Sequence, residues 1–186
     1  MIGPTAEETE QFIIQAHGQQ TRRRSDVLYH THPIAVSKMA LEILVSENPN
    51  VSDRDAEFVV KLALLHDVVE DTEVDFMMLA KMGYPITLLN SLYLLTKFDD
   101  EDLKETHNEN VTRIIESEDI FAIIVKMADT MHNAIIDDSE KQWFHENNRD
   151  PSKDTQRYVA SHARLATCPT MVAYRNAHRI EEEVYE

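Results

Sequence analysis

The chain has 186 residues, a formal net charge of −16, one cysteine and three glycines. That length suits a single domain with a substantial core, and the scarcity of glycine argues against a turn-rich all-β fold and against glycine-rich phosphate loops. The acidity disfavours nucleic-acid polymers, which it would repel. The lone Cys168 rules out an internal disulfide and suits a reducing cytoplasm. No apolar stretch approaches the ~18 residues of a membrane span, and the polar, acidic start does not read as a signal peptide. A small phosphorylated substrate stays compatible with this charge, because a metal and the run Arg22-Arg23-Arg24 would hold one locally.

The pattern predicts helices throughout. Over residues 5–18, Thr5 stands before Glu7 and Glu8 as a cap with acids in the first turn. Phe12, Ile13 and Ala16 form the apolar side, Gly18 ends the helix, and a polar loop runs to Tyr29. Pro33 suits the first position of the next helix, whose stripe is Val36, Met39, Ala40, Ile43 and Leu44 and which Pro49 and Asn50 break. Ser52 caps a third helix, with Asp55 as a variant capping box; its stripe of Ala56, Val59, Val60, Ala63 and Leu64 runs into His66-Asp67. Shorter helices are expected at 75–82, closed by Gly83, at 85–97, and, more weakly amphipathic, at 103–117. Residues 119–133 are strongly periodic through Ile120, Ile123, Ile124, Met127, Ala128 and Met131. A loop spans 147–154, a helix 154–166, Pro169 interrupts, and 171–183 is a final helix or a frayed acidic tail. The expected fold is all-α, one domain over 1–186 with C-terminal helices at about 154–183.

The chemistry concentrates at His66-Asp67. An apolar run, Leu62 to Leu65, ends directly in a histidine and an aspartate, with Glu70 and Asp71 following. Unpaired polarity there is costly to bury, and a divalent metal offsets the cost, because imidazole and carboxylate are ordinary ligands for it. His32 upstream and Asp129 downstream complete a set of four: His32, His66, Asp67 and Asp129. Each member alone fits a plainer role, as a core histidine, a helix cap or a solvated Asp–Lys edge; their joint occurrence favours the metal. Lys126, Asp129 and Asn133 also share one polar stripe beside an apolar face, which suits a pocket wall where Lys126 and Asn133 meet a phosphate or the attacking water.

These residues carry a family resemblance. Ala16-His17-Gly18-Gln19, then Arg23-Arg24-Ser25, Tyr29 and His32-Pro33, form one motif. Ala63 to Thr72, reading ALLHDVVEDT, is the most specific; Gly83, Thr96-Lys97 and Lys126-Met127-Ala128-Asp129 with His132-Asn133 follow in order. Over roughly residues 10–135 the chain resembles the HD-domain metal-dependent phosphohydrolases. Within them it resembles the alarmone hydrolases: the hydrolase half of the (p)ppGpp synthetase-hydrolases and their small stand-alone relatives. The resemblance implies a helical HD fold with Mn²⁺ on His32, His66, Asp67 and Asp129, other divalent transition metals also suiting the set. It implies Glu70 and Asp71 as the pair that orients or deprotonates the water. Arg23 and Arg24 match the nucleotide-contacting residues, and Lys97 and Lys126 are further cations for the phosphates. Arg22 is read as a solvated charge.

The implied reaction removes 3′-pyrophosphate from a (p)ppGpp-like nucleotide with a metal-activated water. An HD nucleotidase on nucleoside monophosphates or another phosphoester, and a non-catalytic nucleotide-binding HD protein, are the alternatives. Two departures stand out: Leu28, where the family often has proline, and Ala134-Ile135-Ile136-Asp137, where it often has an arginine-bearing segment.

Overall fold

A computed structural model describes residues 3–97, 99–100 and 103–179. Its helices are α1 (Ala6–His17), α2 (Thr31–Glu47), α3 (Asp53–Leu65), α4 (Val68–Asp71), α5 (Phe76–Lys81) and α6 (Ile86–Leu95), then α7 (His107–Glu116), α8 (Ile120–Ala134), α9 (Asp138–Glu146), α10 (Ser152–Ala166) and α11 (Pro169–His178). Between α6 and α7 a two-residue antiparallel ladder pairs β1 (Asp99–Asp100) with β2 (Leu103–Lys104). The all-α expectation holds with that one minor addition.

α8 is the axis of the fold. Nine consecutive residues, Ala122 to Thr130, are buried, so this helix is surrounded on all sides. α2, α3, α6, α7, α10 and α11 all pack against it. Met131 breaks the expected stripe, because the helix emerges there and the side chain is exposed. α3 lies across α2 and α1, burying Val59, Leu62, Ala63, Leu64 and Leu65. Leu62, Leu64 and Leu65, large and fully buried, fix the corner at which His66 and Asp67 stand.

Local signals set most boundaries. Thr5 and Glu8 form a reciprocal capping box on α1. Ser52 caps α3 by accepting from the Asp55 backbone N–H, but the Asp55 carboxylate accepts from the Ser52 hydroxyl rather than from its backbone, so the box is only half made. Gly83 has φ +94°, a left-handed conformation that closes α5 and that glycine adopts freely.

Four expectations need correction. α2 begins at Thr31, so Pro33 is its third residue rather than its first. There Pro33 still lies among the first-turn groups that lack an intrahelical partner. The helix expected from 103 starts at His107, capped by Thr106 and Glu109, because Leu103–Lys104 is taken up by the ladder. Pro169 starts α11 instead of interrupting a helix; residues 180–183 of the predicted last helix lie outside the described residues. α9 lies where the sequence pattern predicts no helix: Phe144 is its one buried residue, so no apolar stripe announces it. Asp137 and Glu140 cap it reciprocally.

Candidate metal centre and its cleft

α3 stops at Leu65, and the chain turns through His66 and Asp67 into α4. His32, from the first turn of α2, and Asp129, from the middle of α8, meet that corner. One ligand atom each from His32, His66 and Asp129 lies within 4.8 Å of the others. His32 Nε2 is 3.3 Å from Asp129 Oδ1 and 3.5 Å from Asp67 Oδ2. His66 Nε2 is 2.9 Å from Asp67 Oδ2 and 3.8 Å from Asp129 Oδ1. Ligands ~2.1 Å from one ion stand roughly 3.0–3.4 Å apart, so these separations suit a shared cation.

His66 gives the sharpest test of that fit. Its Nδ1 donates to the Ala63 carbonyl at 2.7 Å, so Nε2 is the atom turned to the corner; burial opposes a charge on the ring, but Asp67 and Asp129 raise its pKa well above the usual imidazole value. Nε2 is buried and has no hydrogen-bond partner: Asp67 Oδ2 is close, but its direction is wrong for a hydrogen bond. A buried ring nitrogen with no hydrogen-bond partner, in a corner where two carboxylates draw in positive charge, is what a divalent cation satisfies by taking the proton's place.

Both carboxylates also accept hydrogen bonds from neighbouring side chains. Asp129 Oδ2 accepts from Lys126 Nζ at 2.8 Å, and its Oδ1 accepts from Asn133 Nδ2. Asp67 Oδ2 accepts from the Tyr29 hydroxyl at 2.6 Å. Burial opposes ionisation of both aspartates, yet His66 beside Asp67 and Lys126 beside Asp129 hold them well below the usual carboxylate range. The Tyr29 hydroxyl is pushed far up, by burial and then by Asp67 and Asp71, so it stays a donor.

Next to the centre, Glu70 and Asp71 both have carboxyls raised, by burial and then by the nearby Asp67. Glu70 is engaged: Oε1 accepts from the Lys97 backbone N–H at 2.7 Å, and Oε2 is 3.0 Å from Lys97 Nζ.

The centre opens into a cleft of about 390 Å³. It is lined by His32, Asp67, Asp129, Glu70, Asp71, Arg23, Arg24, Lys97, Lys126 and Asn133. Every residue singled out in the sequence is thus brought to it, except that His66 is buried beneath the lining. Lys126 and Asp129 are 5% and 4% exposed, which excludes the solvated-edge reading of that pair.

The triple-arginine loop divides its labour. Gln20 and Tyr29 pair across its base, as do Arg22 and Val27, so the segment is a closed turn rather than an open loop. Arg23 is exposed. Arg24 adopts φ +67°, uncommon for a side chain of this size. Its guanidinium lies over Trp143 and Phe144, 5.0 and 4.7 Å from their centroids, and pairs with Asp154 at 2.9 Å. Arg22 is not a solvated charge. It reaches His132 Nδ1 at 3.2 Å and Asn133 Oδ1 at 3.3 Å. His132 is held neutral, its pKa lowered to about 4 by burial and then by His32 and Arg22.

No motif in the sequence marks the far wall. His107, Phe144, Asp154, Arg157 and Tyr158 also line the cleft, from α7, α9 and α10. An adjoining hollow of about 740 Å³ shares Arg23, Lys97, His107, Arg157 and Tyr158. His107 accepts or donates at Ser161 Oγ, 2.8 Å away, and burial and then Lys126 and Arg157 lower its pKa to about 4. The packing of α10 on α8 brings this wall to the centre, and no short motif encodes it.

A helical fold whose buried corner joins His32, His66-Asp67 and Asp129 defines a class. The family model described as HD domain matches residues 29–137, more than half of the chain, and the chain belongs to that family. It is 30% identical over 129 residues to the GTP pyrophosphokinase rsh of Brucella ovis, an alignment covering 66% of this chain and 15% of that protein. It is 34% identical over 122 residues to the bifunctional (p)ppGpp synthase/hydrolase SpoT of Escherichia coli K12, covering 63% of this chain and 16% of that one. The chain therefore spans about 15% of the length of such relatives. A solved structure of a metazoan ortholog of SpoT, described as hydrolysing ppGpp, matches with a TM-score of 0.53 at 23% identity, over 95% of this chain and 98% of that one; this likeness establishes the fold. HD domains bind divalent metals, and no described helix is long and apolar enough to cross a membrane.

Proposed function

We propose that the chain is a Mn²⁺-dependent hydrolase that removes pyrophosphate from the 3′ position of a (p)ppGpp-like nucleotide, acting in the cytoplasm. His32, His66, Asp67 and Asp129 would hold the ion. The reading is carried by the unpartnered Nε2 of His66, buried and aimed at two carboxylates. The four-donor set by itself also accepts Fe, Co or Zn. Residues 1–186 act as one unit in this reading, since α7, α9 and α10 complete the cleft.

When bound, a divalent cation lowers the pKa of water and neutralises phosphate charge. The protein's own residues supply the rest. Both oxygens of Glu70 are engaged by Lys97, so Glu70 fixes that lysine toward the phosphates. Asp71, on the next residue and with a raised carboxyl, takes the proton of the attacking water. Water adds to the phosphorus joined to O3′, the P–O3′ bond breaks, O3′ takes up the proton that Asp71 accepted, and GDP and pyrophosphate leave when ppGpp is the substrate. Lys126, Asn133, Arg23 and Arg24 receive the remaining phosphates and the base, roles for which guanidinium is suited by stacking and bidentate contact.

Turnover of ppGpp with Mn²⁺, followed by product analysis, tests the reading. GDP plus pyrophosphate, abolished in His66→Ala and Asp67→Ala, is the expected result. Inorganic phosphate from nucleoside monophosphates with intact ppGpp would replace it with the nucleotidase reading. Binding of ppGpp without any cleavage would leave a nucleotide-binding protein.

A further inference from the structure

Arg22 is attached, through one intermediary each, to two of the residues proposed to hold the metal. Its Nη1 lies 3.2 Å from His132 Nδ1, and that same Nδ1 lies 2.9 Å from His32 Nδ1. Its Nη2 donates to Asn133 Oδ1 at 3.3 Å, and Asn133 Nδ2 donates to Asp129 Oδ1. One side chain from the loop before α2 therefore touches both ligand-orienting residues of the last turn of α8.

The proton positions follow from Arg22. A guanidinium has only N–H donors and does not deprotonate in proteins. His132 Nδ1, facing it, must therefore present a lone pair; an N–H there would oppose the Arg22 N–H. His132 then carries its proton on Nε2. With His132 Nδ1 an acceptor, the 2.9 Å contact requires His32 Nδ1 to be the donor. His32 Nε2 is then the atom turned to the centre, 3.3 Å from Asp129 Oδ1 and 3.5 Å from Asp67 Oδ2, where the ring offers its lone pair to a cation. Without Arg22 the proton between the two rings has no fixed owner, and half of the arrangements turn an N–H toward the carboxylates.

We propose that Arg22 is a positioning residue: it sets the tautomer of His132, through it presents Nε2 of His32 to the metal centre, and holds Asn133 against Asp129. Arg22 touches no reacting atom in this role. The proposal rests on the metal reading above for its consequence and on the hydrogen-bond geometry alone for its tautomers. Groups behind a ligating histidine change metal affinity by ~10–100-fold, and Arg22 stands behind a histidine and an aspartate together.

Two measurements on the full chain test it. Nitrogen-15 NMR of the histidine rings in chelator should show His132 protonated on Nε2 alone and His32 carrying a proton on Nδ1. In Arg22→Met, which keeps the apolar stem, His132 and His32 should give averaged or exchanged tautomers. Mn²⁺ titration followed by the free-ion EPR signal should show affinity falling ~10–100-fold in Arg22→Met, with partial recovery in Arg22→Lys. A wild-type His132 protonated on Nδ1 overturns the proposal, as does a Met variant with unchanged tautomers or wild-type Mn²⁺ affinity. A wild-type chain with the stated tautomers that binds no Mn²⁺ sinks the metal reading instead and leaves the tautomer assignment standing.

Discussion

Lys126 and Asp129 form an ion pair at 2.8 Å with both side chains only 6% exposed, in the middle of the helix around which the others pack. Replacing Lys126 by methionine keeps the stem and removes the charge. Breaking one partner of a buried pair costs ~3–5 kcal/mol, because the other charge is left uncompensated. Asp129 keeps Asn133 and the two imidazoles, so the lower end, about 3 kcal/mol, is expected. For a chain of this size that is a fall of about 6–12 °C in Tm. A divalent cation changes the balance. It supplies the counter-charge that Lys126 gave, and removal of a neighbouring ammonium should tighten its binding. Stabilisation by a ligand grows as RT ln(1 + [L]/Kd), so at equal Mn²⁺ the variant gains more than the wild type and the gap narrows. Urea unfolding followed by far-UV circular dichroism, in chelator and in Mn²⁺, measures both gaps. Lys141→Met, which breaks an exposed pair with Asp138, should leave the midpoint in place. A cost for Lys126→Met below about 1 kcal/mol in chelator, or a deficit that is the same with and without Mn²⁺, would refute this account of the pair.

Asp71→Asn should retain Mn²⁺ and lower kcat by ~10²–10⁴, the usual worth of general acid–base assistance. Glu70→Gln should lower it less, since Glu70 acts by holding Lys97; single-turnover rates with a matched metal titration decide, and equal loss in both would refute the division. Arg24→Ala should raise KM more than it lowers kcat, because it removes contacts that do not change at the transition state; a pure kcat effect speaks against it. Acid should weaken the fold through His107 and His132, each lowered to about 4. The unfolded chain takes up those protons near pH 6.5, so between about pH 6.5 and 4 it binds more protons than the native state, and stability falls as pH falls. The raised carboxyls of Glu70 and Asp71 act in the opposite sense, so the informative quantity is the difference from His107→Gln. Its urea midpoint should vary less steeply over that window, and an unchanged slope would refute the role of His107.

What was legible in the sequence depended on how far apart the interacting residues stand. His66 and Asp67 are neighbours, and the apolar run before them forces α3 to end there, so their buried corner could be read directly. The burial of Lys126 and Asp129 was readable because their stripe adjoins an almost wholly apolar helix. Arg22 could not be read: it sits in a charge run, and its partners His132 and Asn133 lie 110 and 111 residues away. α9 gave no signal because Phe144 is its single buried residue; its reciprocal cap at Asp137 and Glu140 was the one clue available. His107, Arg157 and Tyr158 reach the cleft only through the packing of α10 on α8, an arrangement that no local periodicity specifies. Leu28, in place of a proline, proves harmless to the loop, since the pairing of Thr21 with Leu28 closes the turn through backbone groups on either side of it.

The stacking of Arg24 on Trp143 has an optical consequence. Trp143 is the chain's sole tryptophan, so its ultraviolet emission reports from one place, the rim where α9 meets the triple-arginine loop. A guanidinium 5.0 Å from the ring centroid biases the indole's excited-state energy. An anion that draws Arg24 away from the ring and from Asp154 would shift that colour. The unlabelled chain therefore carries a built-in gauge of occupancy at the cleft mouth, readable by stopped flow and independent of whether any bond is cut.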